Sequence, residues 1–354
     1  MPTLPLDSAS ITPDWLTDAL SARHAGVQVN SVEVLNERSS TNHHVRLGIT
    51  YGEPAGLPDT MFAKMASPDP VHRAAIGSTG MGTREARFYD ELASSLTMRV
   101  PASYFSQSGD EGAFLMLLED LQAIGARMSD GTWGIPADLA AGALSDLAQL
   151  HVTFENPGRL EAIRPWVMAA PAMSSDFTKP LLRQVIDEHS AILSADYITV
   201  AEMYLSDSAA LLDLWAQGPQ TLIHGDPHIG NLFIVDDRVG FLDWGLMTIS
   251  TPMRDVSYFI TMSMLADERR KTERDLLQHY LDMRQSLGGA EISFDDAWQA
   301  HRVHTAYTVL ASFLSLVPPY NGEDQREFSD LFRGRAIDAL DDLETVPALR
   351  ALLA

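Results

Sequence analysis

A change of hydrophobic periodicity near residue 120 constrains the fold of this 354-residue chain more than any other feature. Before that point, apolar and polar residues alternate in short runs such as HVRLGITY, which is typical of half-buried β-strands. After it, apolar residues recur every three or four positions, as in PADLAAGALSDLAQLHVTF, which indicates amphipathic helices. We therefore predict an α+β fold, with a small antiparallel β lobe over residues 1–120 and a larger, mainly α lobe over residues 121–354. The boundary between them is predicted at Glu119–Gln122.

Local signals place the individual elements. Thr12 followed by Pro13 predicts a helix that reaches about Arg23, because a hydroxyl caps the first turn and proline suits the first helical position. The runs VNSVEVL, HVRLGITY, TMFAKMA and AFLMLLEDL predict four strands, and TREARFYDELASS predicts one inserted helix. In the second part, helices are predicted at 180–193, 199–217, 254–267, 270–286, 293–315 and 326–344. Strands are predicted there only at Thr221–Ile223, Leu232–Val235 and Val239–Leu242.

Composition narrows the class of protein. The formal net charge of −23 argues against a nucleic-acid partner, since phosphate binding needs a basic surface. The absence of cysteine excludes a disulfide framework, a thiolate nucleophile and a zinc–thiolate site. No run approaches the roughly 20 apolar residues of a membrane span, and the N-terminus shows no signal-peptide pattern. We therefore expect a cytoplasmic protein, and the sequence leaves its oligomeric state open.

The segment LIHGDPHIGNLFIVDDRVGFLDWG, residues 222–245, contains two short apolar runs with polar side chains around them. These polar residues are His224, Asp226, His228, Asn231 and Asp243. Such groups are costly to bury without partners. On residue types alone, three interpretations are open, which are a set of metal ligands, a catalytic loop and a polar turn between two strands. Asp226 and Asn231 are five positions apart, and Asp243 follows Asn231 by 12 positions, after a predicted hairpin.

The HGDPHIGN and DW spacing resembles that of the aminoglycoside phosphotransferase and choline kinase group of small-molecule kinases, and LLEDL resembles its ecdysteroid-kinase-like branch. The resemblance implies a protein-kinase-like, two-lobed fold, with a nucleotide-binding N-terminal lobe and a helical C-terminal lobe that holds the catalytic loop and acceptor pocket. It implies transfer of the γ-phosphoryl group of ATP, with GTP an open alternative, to a hydroxyl of a small molecule. Asp226 would accept the hydroxyl proton, and Asn231 and Asp243 would bind Mg²⁺.

The same resemblance assigns the nucleotide-binding groups of the first lobe. Lys64 on the third strand would contact phosphate and pair with a glutamate of the following helix, with Glu85 expected and Glu91 the other candidate. The phosphate-covering loop would lie in ERSSTNHHV and the adenine-binding hinge in LLEDL. These two segments add Ser39, Ser40, Thr41, Asn42, Glu119 and Leu121 to the predicted nucleotide site. The sequence departs from the family pattern at the serine-rich loop, where glycine is common, and at Gly245, where an acid often follows DW.

Two other functions are open. A metal-dependent hydrolase would use His224, Asp226 and His228 as ligands, since transition metals favour such clusters. A non-catalytic kinase-like binding protein would tolerate the altered phosphate loop. The hydrolase hypothesis gives Asn231 and Asp243 no role, and we expect His224 and His228 to orient their neighbours by hydrogen bonds instead.

Residues outside the motif are predicted to have structural roles. Asp255 is expected to anchor a helix start and the loop, and His151 is expected in or near the core. Large aromatic residues could line an acceptor pocket but are predicted mainly as core, namely Trp166, Trp215, Trp298 and Tyr320. No motif identifies the acceptor, so aminoglycoside, choline-like and sterol-like hydroxyl compounds all stay open.

Overall fold

The computed structural model of the protein describes residues 4–39, 41–52, 56–167, 175–318 and 322–353. The chain divides into two compact units, one made of residues 1–127 with 240–246 and the other of residues 128–239 with 247–354. The first unit carries a five-stranded antiparallel sheet, and the second is mainly helical. The predicted α+β class is therefore confirmed.

The sheet of the first unit is built from the strands β1 (Val29–Ser39), β2 (His43–Tyr51), β3 (Thr60–Met65), β4 (Ser103–Ser108) and β5 (Phe114–Glu119). Their order across the sheet is β1-β2-β3-β5-β4, and each neighbouring pair is antiparallel. The helices of this unit are α1 (Pro13–Ser21), α2 (Pro70–Gly77) and α3 (Met81–Arg87). The four predicted strands correspond to β1, β2, β3 and β5.

Helix α1 begins as the sequence predicts. The hydroxyl of Thr12 accepts a hydrogen bond of 3.2 Å from the Trp15 backbone N–H, and Pro13 occupies the first turn. This arrangement satisfies one of the N–H groups that a helix start leaves without an internal partner. The helix ends at Ser21, slightly before the predicted end at Arg23.

The two faces of the sheet have different surroundings. Alternation along β2 and β3 places Val45, Leu47 and Ala63 in a hydrophobic core shared with Leu16 and Leu20 of α1. The opposite face carries the intervening residues, which include His44, Arg46, Phe62 and Lys64. This second face is therefore the one that can present polar groups to a ligand.

The inserted helix is present but irregular, and two neighbouring elements were not predicted. After α3 the chain continues as a π-helical turn at Phe88–Leu92 and a 3₁₀ turn at Ala93–Ser95. Strand β4 was missed because Phe105 is its one buried large apolar residue. Helix α2 was missed because none of its residues is buried, so it has no apolar stripe to detect.

The second unit contains the helices α4 (Ala137–Phe154), α5 (Pro157–Ile163), α6 (Ser175–His189), α7 (Ala195–Trp215), α8 (Pro252–Ser263), α9 (Ala266–Ser286), α10 (Phe294–His304), α11 (Tyr307–Ser312), α12 (Arg326–Asp342) and α13 (Thr345–Leu353). The single helix predicted over residues 293–315 is divided into α10 and α11, and α5 and α13 were not predicted. Among the described helices of both units, none combines the length and hydrophobicity that crossing a bilayer requires.

Short strands flank the polar segment of residues 222–245. Strand β6 (Thr221–Ile223) pairs antiparallel with β9 (Thr248–Ser250), a strand that was not predicted. Strand β7 (Leu232–Val235) forms a hairpin with β8 (Arg238–Phe241). Its turn residues Asp236 and Asp237 have φ values of 50° and 54°, as the two central positions of a type I′ turn require.

Candidate active site

Lys64 joins two carboxylates in the first unit. Its Nζ lies 2.6 Å from Glu85 Oε2 and 3.4 Å from Asp243 Oδ1. Lys64 and Glu85 are buried, whereas 45% of the Asp243 side chain is exposed. The predicted ion pair with Glu85 is confirmed, and Glu91 instead pairs with Arg87 at 2.7 Å. Asp243 is therefore the accessible carboxylate of this group.

Electrostatics keep the lysine charged. Burial disfavours the ammonium ion, but the carboxylates of Asp243 and Glu85 outweigh it and raise the pKa of Lys64. Burial raises the pKa of Glu85 to about 7, against the lowering effect of Lys64. The Glu85 carboxylate also accepts a hydrogen bond from the Trp244 backbone. The strand, the helix and the segment that carries Asp243 thus meet at one fixed positive charge.

The segment around Asp243 is held in a conformation that few residues adopt. Asp243 has a φ of 57°, in the left-handed region that is uncommon outside glycine but tolerated by Asp and Asn. The Trp244 ring stacks on Phe88 with centroids 3.9 Å apart and planes at 8°. Arg84 Nε donates a hydrogen bond of 3.0 Å to the Gly245 carbonyl. These two anchors fix where the Asp243 carboxylate emerges.

The glycine after Trp244 has a packing explanation. A Cβ added at Gly245 would lie 3.2 Å from Met81 Cβ, 3.3 Å from the Met81 carbonyl and 3.4 Å from Asp243 Oδ1. An acidic side chain there would press on the start of α3 and on Asp243 itself. Glycine at this position thus suits the close approach of α3 to this segment.

The predicted phosphate-covering loop is the turn between β1 and β2. The hydroxyl of Ser39 shares a hydrogen bond of 2.8 Å with His43 Nδ1, and the Thr41 carbonyl lies 3.2 Å from His72 Nε2. Asn42 is 9% exposed, and its Oδ1 has no hydrogen-bond partner among the described residues. Ser40 lies outside the described residues. Phosphate binding by this loop stays a prediction, and Asn42 is the side chain with an unused polar atom.

The predicted hinge lies at the end of β5 and continues just past it. Glu119 uses its side chain within the protein, because its Oε2 accepts hydrogen bonds from Arg99 at 2.6 Å and from the Ala102 backbone at 3.2 Å. The Leu121 carbonyl accepts a hydrogen bond of 3.0 Å from the Ala126 backbone. Nucleobase binding at Glu119 and Leu121 was predicted through backbone groups, and it stays a prediction.

In the second unit, the predicted catalytic loop brings Asp226 and Asn231 together. Asn231 Nδ2 donates to Asp226 Oδ2 at 2.9 Å and to the Asp226 carbonyl at 3.0 Å. Gly225 has a φ of 86°, so the turn before Asp226 uses the freedom of glycine. Because the amide nitrogen holds Asp226, the amide oxygen of Asn231 is the group that could bind a hard cation.

The two histidines of the loop orient backbone groups, as expected. His224 Nδ1 accepts a hydrogen bond of 3.2 Å from the Asp226 backbone, and His228 Nδ1 accepts one of 3.0 Å from the Gly230 backbone. In the part of the chain that the structure describes, no three His, Asp or Glu side chains are grouped so that they could hold a metal ion. The hydrolase hypothesis therefore has no ligand set here.

Asp255 anchors the loop from helix α8. Its carboxylate accepts hydrogen bonds from the backbone N–H groups of His224 at 2.6 Å and Gly225 at 2.8 Å. It also lies 3.3 Å from Nε2 of His151, which is fully buried. Burial opposes ionisation, but the interactions with His151, His224 and the Gly225 backbone together lower the pKa of Asp255. The anchoring role of Asp255 and the core position of His151 are confirmed.

Acidification is expected to destabilise the protein through this pair. The lowered pKa of Asp255 means that its charged form stabilises the native state, and this contribution is lost as the pH falls through the lowered value. Burial lowers the pKa of His151 below 6.5, so under that pH the unfolded chain binds a proton that the native chain does not. Both effects have the same sign, so the free energy of unfolding should decrease as the pH is lowered below about 6.5.

Unfolding of an Asp255→Asn variant checks this expectation. The variant should lose about 1.5–3 kcal/mol of unfolding free energy near neutral pH, the range for hydrogen bonds to charged groups, and its acid-side slope should be shallower. Denaturant titration followed by circular dichroism at several pH values measures both. Asp267→Asn is the control, because 89% of that side chain is exposed. An unchanged slope in Asp255→Asn would contradict the assignment.

Sequence reasoning missed Tyr258, which lies one helical turn after Asp255. Its side chain is 2% exposed, and its hydroxyl lies close to the carboxylate of Asp226. Burial raises the pKa of Tyr258, and so do the negative charge of Asp226 and a hydrogen bond with its carboxylate. A neutral phenol therefore lies near the candidate catalytic carboxylate. The three-residue spacing from Asp255, which puts both on one helix face, was the available signal.

The large aromatic residues differ in how deeply they are buried. Trp215 is 3% exposed and packs edge-on against Tyr204, as predicted for a core residue. Trp166 and Trp298 are only partly buried. Trp298 is stacked with Phe294 and lies under the Arg274 guanidinium at 4.2 Å. The core prediction is thus confirmed for Trp215, while Tyr320 lies outside the described residues.

Comparison with known sequences decides the family. The family model described as the phosphotransferase enzyme family, APH, matches residues 71–290, which is more than half of the chain. This chain belongs to that phosphotransferase family. The matched range includes the whole segment of residues 222–245. No curated protein matches the sequence.

Solved structures show that this phosphotransferase has the protein-kinase-like fold. A choline kinase from Cryptosporidium parvum Iowa II matches with a TM-score of 0.55 and 10% identity, covering 91% of this chain and 93% of that one. A choline/ethanolamine kinase family protein from Mesorhizobium loti matches with a TM-score of 0.51 and 17% identity, covering 96% and 98%. The GDP complex of aminoglycoside 2′-phosphotransferase-IIIa matches with a TM-score of 0.50 and 13% identity, covering 92% and 98%. At these identities the likeness establishes the fold alone.

Proposed function

We propose that this phosphotransferase is an ATP-dependent small-molecule O-kinase, which uses Mg²⁺ and moves the γ-phosphoryl group of ATP to a hydroxyl of its acceptor. The observation that carries the proposal is the position of Lys64, whose ammonium lies between the buried Glu85 and the half-exposed Asp243. A fixed cation for phosphate and an accessible carboxylate for a metal ion thus share one site. Phosphoryl transfer depends mainly on such positioning and charge neutralisation.

The donor atoms fit Mg²⁺. Magnesium is a hard cation that prefers oxygen ligands and usually takes only one or two carboxylates from the protein. Asp243 offers an exposed carboxylate, and Asn231 offers the amide oxygen that its bond to Asp226 leaves unused. These two residues would hold the ion. When bound, Mg²⁺ neutralises charge on the phosphate oxygens.

Asp226 has the surroundings of a proton acceptor. Asn231 fixes the Asp226 carboxylate by a hydrogen bond. The carboxylate of Asp255 accepts a hydrogen bond from the loop backbone instead and is not offered to the acceptor. In the proposed reaction the acceptor oxygen bonds to the γ-phosphorus, the bond from that phosphorus to the β–γ bridging oxygen breaks, and ADP leaves. The proton of the acceptor hydroxyl passes to Asp226. The Tyr258 hydroxyl, which lies beside Asp226, would help to orient the acceptor.

Two lysine variants test the nucleotide site. Lys64→Met should lower Mg²⁺-dependent ATP consumption by at least about 10²-fold, because an electrostatic contact to the transferred group is lost. Lys271→Met is the matched control, since Lys271 is exposed on α9. Turnover should be measured with ATP and GTP, and with Mg²⁺ and Zn²⁺. Equal turnover in wild type and Lys64→Met, or turnover with Zn²⁺ alone, would contradict the proposal. Binding of nucleotide without its consumption would support the non-catalytic alternative.

A further inference from the structure

Three aromatic side chains of the second unit pack edge-on against one another. Trp215 of α7 and Tyr307 of α11 have ring centroids 5.7 Å apart, and Tyr307 and Tyr258 of α8 have centroids 5.1 Å apart. We call these three rings the aromatic cluster. The Tyr258 hydroxyl forms a hydrogen bond with the Asp226 carboxylate. The aromatic cluster therefore extends to the group that would receive the acceptor proton.

A guanidinium lies against the rings of the aromatic cluster. Arg254 Cζ is 4.3 Å from the ring centroid of Tyr307 and 5.9 Å from that of Trp215. Both distances are in the range of cation–π attraction. Arg254 is only 4% exposed, and it also forms a hydrogen bond with Tyr307. Two rings of the cluster thus already bind a cation, which the protein itself supplies.

Two carboxylates act on this region, and both are bound to other groups. Burial raises the pKa of Tyr307, Arg254 lowers it, and the charges of Asp226 and Asp255 add smaller raising effects. Asp255 accepts hydrogen bonds from the loop backbone, and Asp226 accepts one from Asn231. Within the described part of the chain, the basic side chains in contact with these carboxylates are histidines and not Arg254. The guanidinium therefore keeps a positive charge that neither carboxylate cancels by contact.

The charge of Arg254 already opposes a second cation in this region. His304 is 3% exposed, and its ring centroid lies 6.4 Å from that of Trp215. Burial and then the positive charge of Arg254 lower the pKa of His304 to about 3, so the imidazole is uncharged at neutral pH. An ammonium ion brought to the same rings would lose its hydration and meet the same repulsion. The aromatic cluster is therefore unfavourable for any further positive charge.

The separation between Arg254 and the acceptor site is short. Arg254 and Tyr258 are four residues apart on α8, which puts them on one face of the helix with about 6 Å of axial rise between them. Since the Tyr258 hydroxyl lies beside Asp226, an acceptor there would be on the order of 5–10 Å from the guanidinium. At that separation, a like charge in a partly buried site weakens binding by at least about tenfold.

We propose that the acceptor of this phosphotransferase is a hydroxyl compound without a positive charge, and that Arg254 is the specificity-determining residue that excludes acceptors carrying an ammonium group. The inference rests on the proposed function, in which the acceptor hydroxyl meets Asp226. Aromatic rings beside that carboxylate would suit a quaternary ammonium, but Arg254 occupies two of the rings and adds a like charge. Rejection by a like charge is a common means of discriminating against a wrong partner.

A pair of alcohols that differ only in charge tests this specificity. Choline is compared with dimethylbutanol, its isostere with carbon in place of nitrogen. In NMR titrations of wild type, the Kd of choline should exceed the Kd of dimethylbutanol by at least about tenfold. Arg254→Ala should lower this ratio of Kd values by at least about tenfold, because it removes the charge and uncovers two rings. Arg254→Lys should keep most of the ratio, since it keeps the charge, and Arg159→Ala is the control, because Arg159 is exposed on α5.

Wild type provides a second measurement that does not depend on a variant folding. With ATP and Mg²⁺, transfer to dimethylbutanol should be faster than transfer to choline at equal concentration. Wild type that binds or phosphorylates choline as well as dimethylbutanol, or that binds neither, would overturn the inference and leave the kinase proposal standing. An unchanged Kd ratio in a folded Arg254→Ala would do the same. Absence of ATP consumption with every acceptor would instead overturn the kinase proposal, while the Kd ratio would still show whether Arg254 excludes a cation.

Discussion

Replacement of Asp226 by Asn is expected to lower the rate of phosphoryl transfer by about 10²–10⁴-fold, the usual contribution of general acid–base assistance, with nucleotide affinity retained. Asparagine has nearly the shape of aspartate, and its carbonyl can still accept the hydrogen bond that Asn231 donates at 2.9 Å. What the variant loses is the group that takes the acceptor proton. The loop should remain in place, since Asp255 holds the backbone of His224 and Gly225.

Single-turnover kinetics together with titration of nucleotide and Mg²⁺ measure these effects in one variant. Asp237→Asn is a suitable control, because Asp237 is exposed in the hairpin turn and asparagine tolerates its φ of 54°. Under the hydrolase hypothesis Asp226 is a metal ligand, so its loss would lower metal affinity together with activity. Such a joint loss, in a protein that consumes no ATP, would favour that hypothesis over the kinase proposal.

Replacement of Asp243 by Asn is expected to lower the rate of Mg²⁺-dependent transfer by at least about 10³-fold. A bound metal ion supplies several kcal/mol of charge stabilisation, and the variant removes the negative charge that would bind it. The fold should survive, because 45% of the side chain is exposed and asparagine accepts the left-handed φ of 57°.

Titration of turnover against Mg²⁺ separates a metal-binding defect from a folding defect. Asp243→Asn should require far more Mg²⁺ for any residual activity, while its thermal unfolding should stay close to that of wild type. Gly245 should be left unaltered in these experiments, because a side chain there would contact Met81 and the residue under test. Unchanged turnover and unchanged Mg²⁺ dependence would remove Asp243 from the metal site.

The elements that sequence predicted well are those with a strong local pattern. Strict alternation along β2 placed Val45, Leu47 and Ile49 in the core, as observed. The break between α10 and α11 was missed, because the apolar periodicity continues through it. There the hydroxyl of Thr305 bonds back to the His301 carbonyl at 2.8 Å, which offers the backbone a local alternative to the helix.

The contacts of the candidate site also fall into those that the sequence predicted and those that it did not. Lys64 with Glu85, and Asp226 with Asn231, were predicted because motif spacing fixes them, and the structure brings each pair into contact. The pair of Arg46 and Asp120 was missed, because its partners are 74 positions apart, one on β2 and the other just after β5. Likewise, the proximity of Tyr258 to Asp226 is visible only once the elements around them are packed. Interactions of this kind depend on tertiary contacts that no local pattern records.

Transfer of phosphate to a hydroxyl compound is the most direct test of the central claim. Wild-type protein should be incubated with γ-labelled ATP, Mg²⁺ and a panel of aminoglycoside, choline-like and sterol-like alcohols, and the products identified by mass spectrometry and ³¹P NMR. We predict a phosphate monoester of one acceptor, formed in equal amount with ADP by wild type and by Asp237→Asn but not by Asp226→Asn or Asp243→Asn. Formation of that ester at the wild-type rate by Asp226→Asn and Asp243→Asn would contradict the proposed active site.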